Sequence, residues 1–201
     1  MWRTGPPNMK KIPTLFMREV TGKRALAIEA VNPECEWVLY GEGIATEKFD
    51  GSACLVRDGV LYKRHELKEG KPRPFGWFHW NFEDPSPTGH GWAPITGGSE
   101  DAYHREAWND PLVESATDGT YELVGPKVQL NPYNRPTHEL WRHGGRHLRD
   151  CPREFSSLRE YLTNTPIEGI VWHHPDGRMA KLKRRDFGIQ WPMNFDQEAA
   201  P

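Results

Sequence analysis

Two residues, Asp58-Gly59, constrain this chain more than any others. They stand between Leu55-Val56-Arg57 and Val60-Leu61-Tyr62. Asp-Gly between apolar runs favours a two-residue type I′ turn, which needs positive φ at both central positions. Residues 55–62 are therefore expected to form a tight β-hairpin. Just before it stands Lys48-Phe49-Asp50-Gly51, which places a lysine on a turn beside a rigid element. An amine held that way can serve as a nucleophile once its pKa falls. Alone, Lys-x-Asp-Gly is a weak signal that fits an exposed lysine before a loop better, so the rest of the chain has to decide.

At 201 residues the chain is long enough for one large domain. Charged residues make up 27% and aromatic residues 11%, which excludes a wholly disordered chain. Residues 1–11 read as a flexible N-terminal arm, 12–192 as a single domain and 193–201 as a polar tail. Cys35, Cys54 and Cys151 are an odd number without Cys-x-x-Cys, which suits a reducing compartment. The N-terminus lacks a signal-peptide core, and no apolar run is long enough to span a bilayer. A cytoplasmic location is expected. The formal net charge of −2 is unevenly spread. Residues 83–122 hold nine acids against one base, and residues 127–187 hold twelve bases against seven acids. The second stretch can present a positive face to a polyanion, or the two can attract each other within the fold.

Residues 12–20 and 24–31 alternate as two strands joined at Thr21-Gly22, and 34–43 reads as a connection. Residues 66–96 are rich in Pro, Gly and aromatics without a clear period and read as a long loop. Ser99-Glu100-Asp101 is expected to cap a short helix ending near Trp108. Residues 120–124 and 138–143 read as strands, 125–133 as part strand and part turn. Residues 154–162 read as a helix with Phe155, Leu158, Tyr161 and Leu162 on one face. A second hairpin joins 168–172 to 179–183 around Asp176-Gly177. Strands dominate, so the expected class is α+β, antiparallel sheets with helices at their flanks. His143 and His147, separated by Gly144-Gly145, and the adjacent His173-His174 do not have zinc-site spacing.

Four stretches then stand in order: Lys48-Phe49-Asp50-Gly51, Tyr121-Glu122-Leu123-Val124-Gly125, Glu168-Gly169-Ile170-Val171 and Lys181-Leu182-Lys183. Each alone is an ordinary strand or turn pattern. Residues two apart on a strand share a face, so Lys181 and Lys183 can meet one anionic group. In order and spacing the four resemble the covalent nucleotidyltransferase superfamily of polynucleotide ligases and capping enzymes. The stretches TEKFDG, Gly91 to Ile95, Asn131 to Tyr133, IEGIVWHHPDG and Gly188 to Pro192 narrow the resemblance. They look like the vertebrate-type ATP-dependent 5′–3′ RNA ligases and their microbial relatives.

That resemblance implies a nucleotidyltransferase (ATP-grasp-like) domain, with ATP and Mg²⁺ as cofactors and Mn²⁺ as a substitute. It implies that Lys48 takes AMP, that AMP passes to an RNA 5′-phosphate, and that a 3′-hydroxyl then displaces it. Lys181, Lys183 and Arg64 would lower the pKa of Lys48 and offset phosphate charge. Arg64 would contact the ribose or the incoming end, Glu122 would accept from ribose hydroxyls, and Glu168 would hold the metal. Asp50 would brace the site or assist the later transfer. Backbone groups of Thr46 and Glu47 would read adenine, and Trp141 would stack on it, with Leu140 equally placed. Arg142, Arg146, Arg149, Arg153, Arg184 and Arg185 would contact RNA phosphates without reading sequence. The partner expected is RNA with 5′-phosphate and 3′-hydroxyl ends, with no membrane. No clamp domain is expected after Trp191, which disfavours a DNA nick ligase. The alternatives are a GTP-dependent capping-type enzyme and a non-catalytic RNA- or nucleotide-binding relative.

Overall fold

The computed structural model describes residues 11–81, 86, 88–110 and 116–192. The expected tail, and the expected arm except for Lys11, lie outside the described residues. In chain order the strands are β1 (Phe16–Thr21), β2 (Arg24–Val31), β3 (Ile44–Lys48), β4 (Ser52–Arg57), β5 (Val60–Leu67), β6 (Phe78–His79), β7 (Gly89–Pro94), β8 (Gly119–Val124), β9 (Glu139–Arg142), β10 (Gly169–His173) and β11 (Met179–Lys183). The helices are α1 (Glu36–Leu39), α2 (Ala102–Trp108) and α3 (Phe155–Asn164). This is an α+β chain of antiparallel sheets and few helices. It forms two compact units, one of Asp50–His143 and one of Lys11–Phe49 with the chain from Gly144 onward.

The unit from Asp50 to His143 carries a six-stranded sheet in the order β6-β7-β5-β4-β8-β9. At its centre the β4–β5 turn has φ of 51° at Asp58 and 73° at Gly59, the two positive values that a type I′ turn requires. One face of the sheet is a core face, formed by Cys54, Val56, Leu61, Tyr121 and Leu123 with Ala107 of α2. On that face Lys63 of β5 pairs with the fully buried Asp101.

Several expectations for this unit are corrected. The stretch expected as one loop, 66–96, contains β6 and β7, and β7 pairs with β5 along its length. The expected helix ends at Trp108 and takes its N-cap, Asp101, from the Ser99-Glu100-Asp101 stretch, but that stretch is itself a 3-10 turn that begins after Gly98. Residues 125–133 hold no strand, because Lys127, Gln129, Leu130 and Asn131 all take positive φ, as turns do and strands do not.

The other unit has a three-stranded sheet, β11-β10-β3, and the β1–β2 ribbon. Alternation divides the three strands cleanly. Ala45, Ile170, Trp172, Ala180 and Leu182 turn to a core that also holds Leu15, Phe16, Val38, Leu158 and Leu162. Leu158 and Leu162 are the buried stripe of α3, with Phe155 and Tyr161 packed beside them. The connection expected at 34–43 contains a 3-10 turn, Pro33–Cys35, and the single-turn α1. Asn32 starts it, its side chain accepting from the Glu34 N–H at 3.1 Å. Such elements are too short to carry a period.

Leu182 is fully buried on β11, between Lys181 and Lys183. Leu182→Ala should lower unfolding free energy by about 2–5 kcal/mol, the usual cost of a buried Leu→Ala cavity. Urea titration of the full chain would measure it.

Candidate active site

Register builds the lysine cluster. Gly169 of β10 lies opposite Lys48 of β3 on one side and Lys183 of β11 on the other. Val171 likewise lies between Thr46 and Lys181. Directly opposed residues share a face, so Thr46, Lys48, Lys181 and Lys183 lie together on the face turned away from the core. Gly169 fits because any side chain there would run into Leu182 and Lys183 of β11. The row between the two lysines is thus left without a side chain of its own.

Glu168 closes the cluster. Only 6% exposed, it accepts from Lys48 Nζ at 2.6 Å through Oε2 and from Lys183 Nζ at 2.7 Å through Oε1. Lys48 Nζ also donates to the Phe49 carbonyl at 3.2 Å. Lys181 lies on the same sheet face, where the charges of Lys183 and Lys48 act on it and Asp186 opposes them. Burial, then the charges of Lys183 and Lys48, pull the Lys181 pKa down to about 8. Lys183 is lowered too, by burial and by Lys48, against the opposing pull of Glu168.

Thr46 and Glu47 lie on the same strand. Thr46 Oγ1 donates to the Val171 carbonyl at 3.0 Å and can therefore accept from His173 Nε2 at 3.1 Å. Burial raises the Glu47 pKa, opposed by Arg146, whose guanidinium lies 3.3 Å from the Glu47 carboxylate. The same guanidinium sits 5.2 Å over the ring of buried Phe49. Nothing in the residue pattern singled out Arg146 as the partner of Glu47, because they are 99 positions apart.

Asp50 and the remaining expected site residues belong to the other unit. Here the Glu122 carboxylate accepts from the Gly51 N–H at 3.0 Å and meets His143 Nε2 at 2.7 Å. The Asp50 N–H donates to Tyr133 Oη at 2.6 Å. A Cβ on Gly51 would collide with the Leu123 carbonyl and with Glu122, so the backbone approach that joins the turn to β8 needs glycine. His143 and Tyr133 were not assigned these contacts from sequence. Tyr133 lies in the Asn131-Pro132-Tyr133 stretch, the one signal that pointed near it.

Register also separates the two stacking candidates. Trp141 lies opposite Glu122 and shares its face, whereas Leu140 lies opposite Leu123 and packs on the core. The Trp141 ring stands 4.7 Å from that of Tyr133, and its indole N–H donates to Glu139 at 2.8 Å. By alternation Arg64 of β5 falls on the same face as Glu122.

The arginine set divides. Arg184 is 3% exposed and donates to the carbonyls of Thr165 at 2.7 Å and Gln190 at 3.0 Å, and also to that of Leu162. Arg153 donates to the carbonyls of Val38, Glu42 and Gly43, closing the end of α1. The expected place of Arg184 among RNA contacts is corrected by its burial, and both guanidiniums are held by backbone oxygens of their own unit. Arg142 is exposed but bonded to Thr117, Tyr121 and Asp118. Arg146, Arg149 and Arg185 are exposed.

The fold is an α+β chain of antiparallel sheets, with a strand-end lysine held by a carboxylate beside a second lysine. The comparisons give its family. The family model for RNA ligase 1 matches residues 98–199, just over half of the chain. RNA ligase 1 of Mus musculus is 26% identical, with 92% of this chain and 82% of that protein aligned. RNA ligase 1 of Danio rerio is 25% identical over the same shares. The chain belongs to the RNA ligase 1 family. The matched span contains Glu122, Trp141, Glu168, Lys181 and Lys183, and Lys48 precedes it.

Two predictions follow from this geometry. Lys181 binds its proton less tightly folded than unfolded, so stability should rise with pH between about 8 and 10.5. Affinity for inorganic tripolyphosphate should move the other way, falling as pH rises through about 8. Lys181→Arg, charged throughout, should flatten both profiles, as calorimetric titration and thermal melts would show. Arg184→Ala leaves buried carbonyls unpaired and should destabilise by at least about 1–3 kcal/mol. At a temperature where the variant stays folded, its affinity for RNA should match that of the wild type.

Proposed function

We propose that this chain is an RNA ligase that joins a 5′-phosphate to a 3′-hydroxyl through a covalent Lys48–AMP intermediate. Family membership supports RNA joining. The observation that carries the chemistry is the Lys48–Glu168–Lys183 cluster, with Lys181 on the same sheet face. In this reading residues 12–192 act as one nucleotidyltransferase module.

Each residue type suits its part. Lys48, held at a strand end, loses a proton and attacks the α-phosphorus of ATP, forming an N–P bond as pyrophosphate leaves. Lys181 and Lys183 offset charge on the phosphoryl oxygens as it develops. The AMP group then passes to an oxygen of the RNA 5′-phosphate and restores the Lys48 amine. A 3′-hydroxyl attacks that activated phosphate, and AMP leaves. Glu168 suits Mg²⁺ as a hard carboxylate, although both its oxygens here accept from ammoniums, so a metal would take the place of one of them. The ion would supply further charge neutralisation at the phosphates. Arg64, Glu122 and Trp141 are assigned to the nucleoside, and Arg146, Arg149 and Arg185 to strand phosphates.

Intact mass after incubation with ATP and Mg²⁺ tests this directly. The mass should rise by one AMP, and Lys48→Ala should abolish the adduct. Lys183→Ala should slow its formation by about 10²–10³-fold, the typical loss for a preorganised charge contact. An adduct that survives in Lys48→Ala, or forms with GTP in preference to ATP, would sink the reading. So would joining of RNA ends that carry a 5′-hydroxyl.

A further inference from the structure

The six-stranded sheet of the Asp50–His143 unit has two unlike faces. One is the core face already described. The opposite face is aromatic and basic along β5, β7 and β6. Arg64 of β5, Trp92 of β7 and Phe78 of β6 lie in one cross-strand row on it. Tyr62 and His90 share the face by alternation. Trp80 continues it beyond β6, its N–H donating to the His90 carbonyl at 3.2 Å.

The rings are arranged in pairs. Trp80 and His90 stand 4.7 Å apart at an interplanar angle of 50°, and the Arg64 guanidinium lies 5.4 Å over the Trp80 ring. Tyr62 meets Phe78 edge-on at 5.2 Å, with the Arg57 guanidinium 5.8 Å from that ring. Trp92 is fully buried beneath them, but Tyr62, Phe78, Trp80 and His90 are half-exposed. The approach to β6 adds Phe75, 99% exposed, with exposed Lys71 and Arg73 close before it in the chain.

Half-exposed rings with guanidiniums laid over them differ from an apolar docking patch. They offer flat π-faces on which bases stack, and fixed cations within reach of the phosphates that join those bases. Burial and the neighbouring Arg64 charge lower the His90 pKa, which favours the neutral ring.

We propose that the face centred on Trp80 and His90 is a stacking platform for unpaired nucleotides of single-stranded RNA. This deepens the RNA-joining reading and rests on it. It places the bases on strands outside all four motifs and away from the arginine-rich stretch 142–185. Stacking accepts any base, so the platform would hold strands of differing sequence and favour single strands over duplex, whose bases are already stacked.

The test uses the full chain and labelled 5′-phosphorylated RNA of three kinds: single-stranded, abasic of the same length, and blunt duplex. Binding is read by fluorescence polarisation, and lysyl-adenylate formation by intact mass. Wild type should bind base-bearing single strands most tightly. Trp80→Ala should weaken that binding about five-fold or more while leaving abasic binding unchanged. Trp80→Phe keeps a π-face and should stay within about twofold of wild type; it answers for the site if Trp80→Ala does not fold. Unchanged affinity for base-bearing RNA in Trp80→Ala would overturn the proposal and leave the face to a protein partner or to packing. Equal losses on base-bearing and abasic RNA would overturn it too, as an effect of charge or fold. A wild type that forms the adenylate but binds no RNA would instead bring down the RNA-joining reading itself.

Discussion

The Glu168 carboxylate is the centre on which the lysine cluster depends. At 6% exposure a carboxylate is costly unless its oxygens are matched, and here each oxygen takes one ammonium. The partners come from β3 and β11, on either side of β10, so the pairing also fixes register across the sheet. A slip of one residue in either neighbour would turn its lysine into the core. Yet the balance is incomplete. Lys181 shares the face with Lys48 and Lys183 without pairing to Glu168, and burial, then the charges of its two lysine neighbours, lower its pKa. A half-buried region with excess positive charge is relieved by an anion. The same arrangement therefore stabilises the sheet only in part.

Alternation sets out the candidate residues in each unit. On β11, Ala180 and Leu182 are buried while Lys181 and Lys183 face the other way. On β8, Tyr121 and Leu123 join the core while Glu122 faces away, in register with Trp141. Two glycines permit the close contacts that this requires, Gly169 between strands and Gly51 against β8. Chemistry and core are thus carried by alternate residues of the same strands. A mutation to the core, such as one at Leu182, reaches the lysines through one peptide unit on each side.

Much of this was legible in the sequence, for identifiable reasons. The Asp58-Gly59 turn was readable because positive φ at two successive positions admits few residues. The second hairpin and α3 showed because apolar residues recur at the right period. The pair β6 and β7 did not show. In β7, Gly89 and Gly91 occupy alternate positions beside His90 and Trp92, so no apolar alternation marks the strand. The pairing with β5 that defines it is a long-range fact. Partners of site residues were hidden for the same reason: Glu122 finds His143 across 21 positions and Asp50 finds Tyr133 across 83. Motif order located the carboxylates, but only register could say which face each neighbour takes, as Trp141 and Leu140 show.

Charge counting misled where it treated all arginines alike. The guanidinium is a planar fork of donors, well suited to gathering several carbonyl oxygens at once. Arg153 closes the end of α1 in this way, and Arg184 ties the end of α3 to the Gln190 carbonyl. Their charges remain, but their donors are committed to the fold. Lysine differs: a point charge on a flexible stem can follow a group whose position changes during reaction. The cations placed at the Glu168 cluster are lysines, and the most deeply buried arginine of the basic stretch closes loops. A run of basic residues in this chain thus mixes arginines such as Arg153 and Arg184 that close the chain with lysines gathered at one carboxylate. The arginines laid over aromatic rings, Arg57 on β4 and Arg64 on β5, differ from the loop-closing pair in that each guanidinium lies over a half-exposed ring instead of gathering carbonyls.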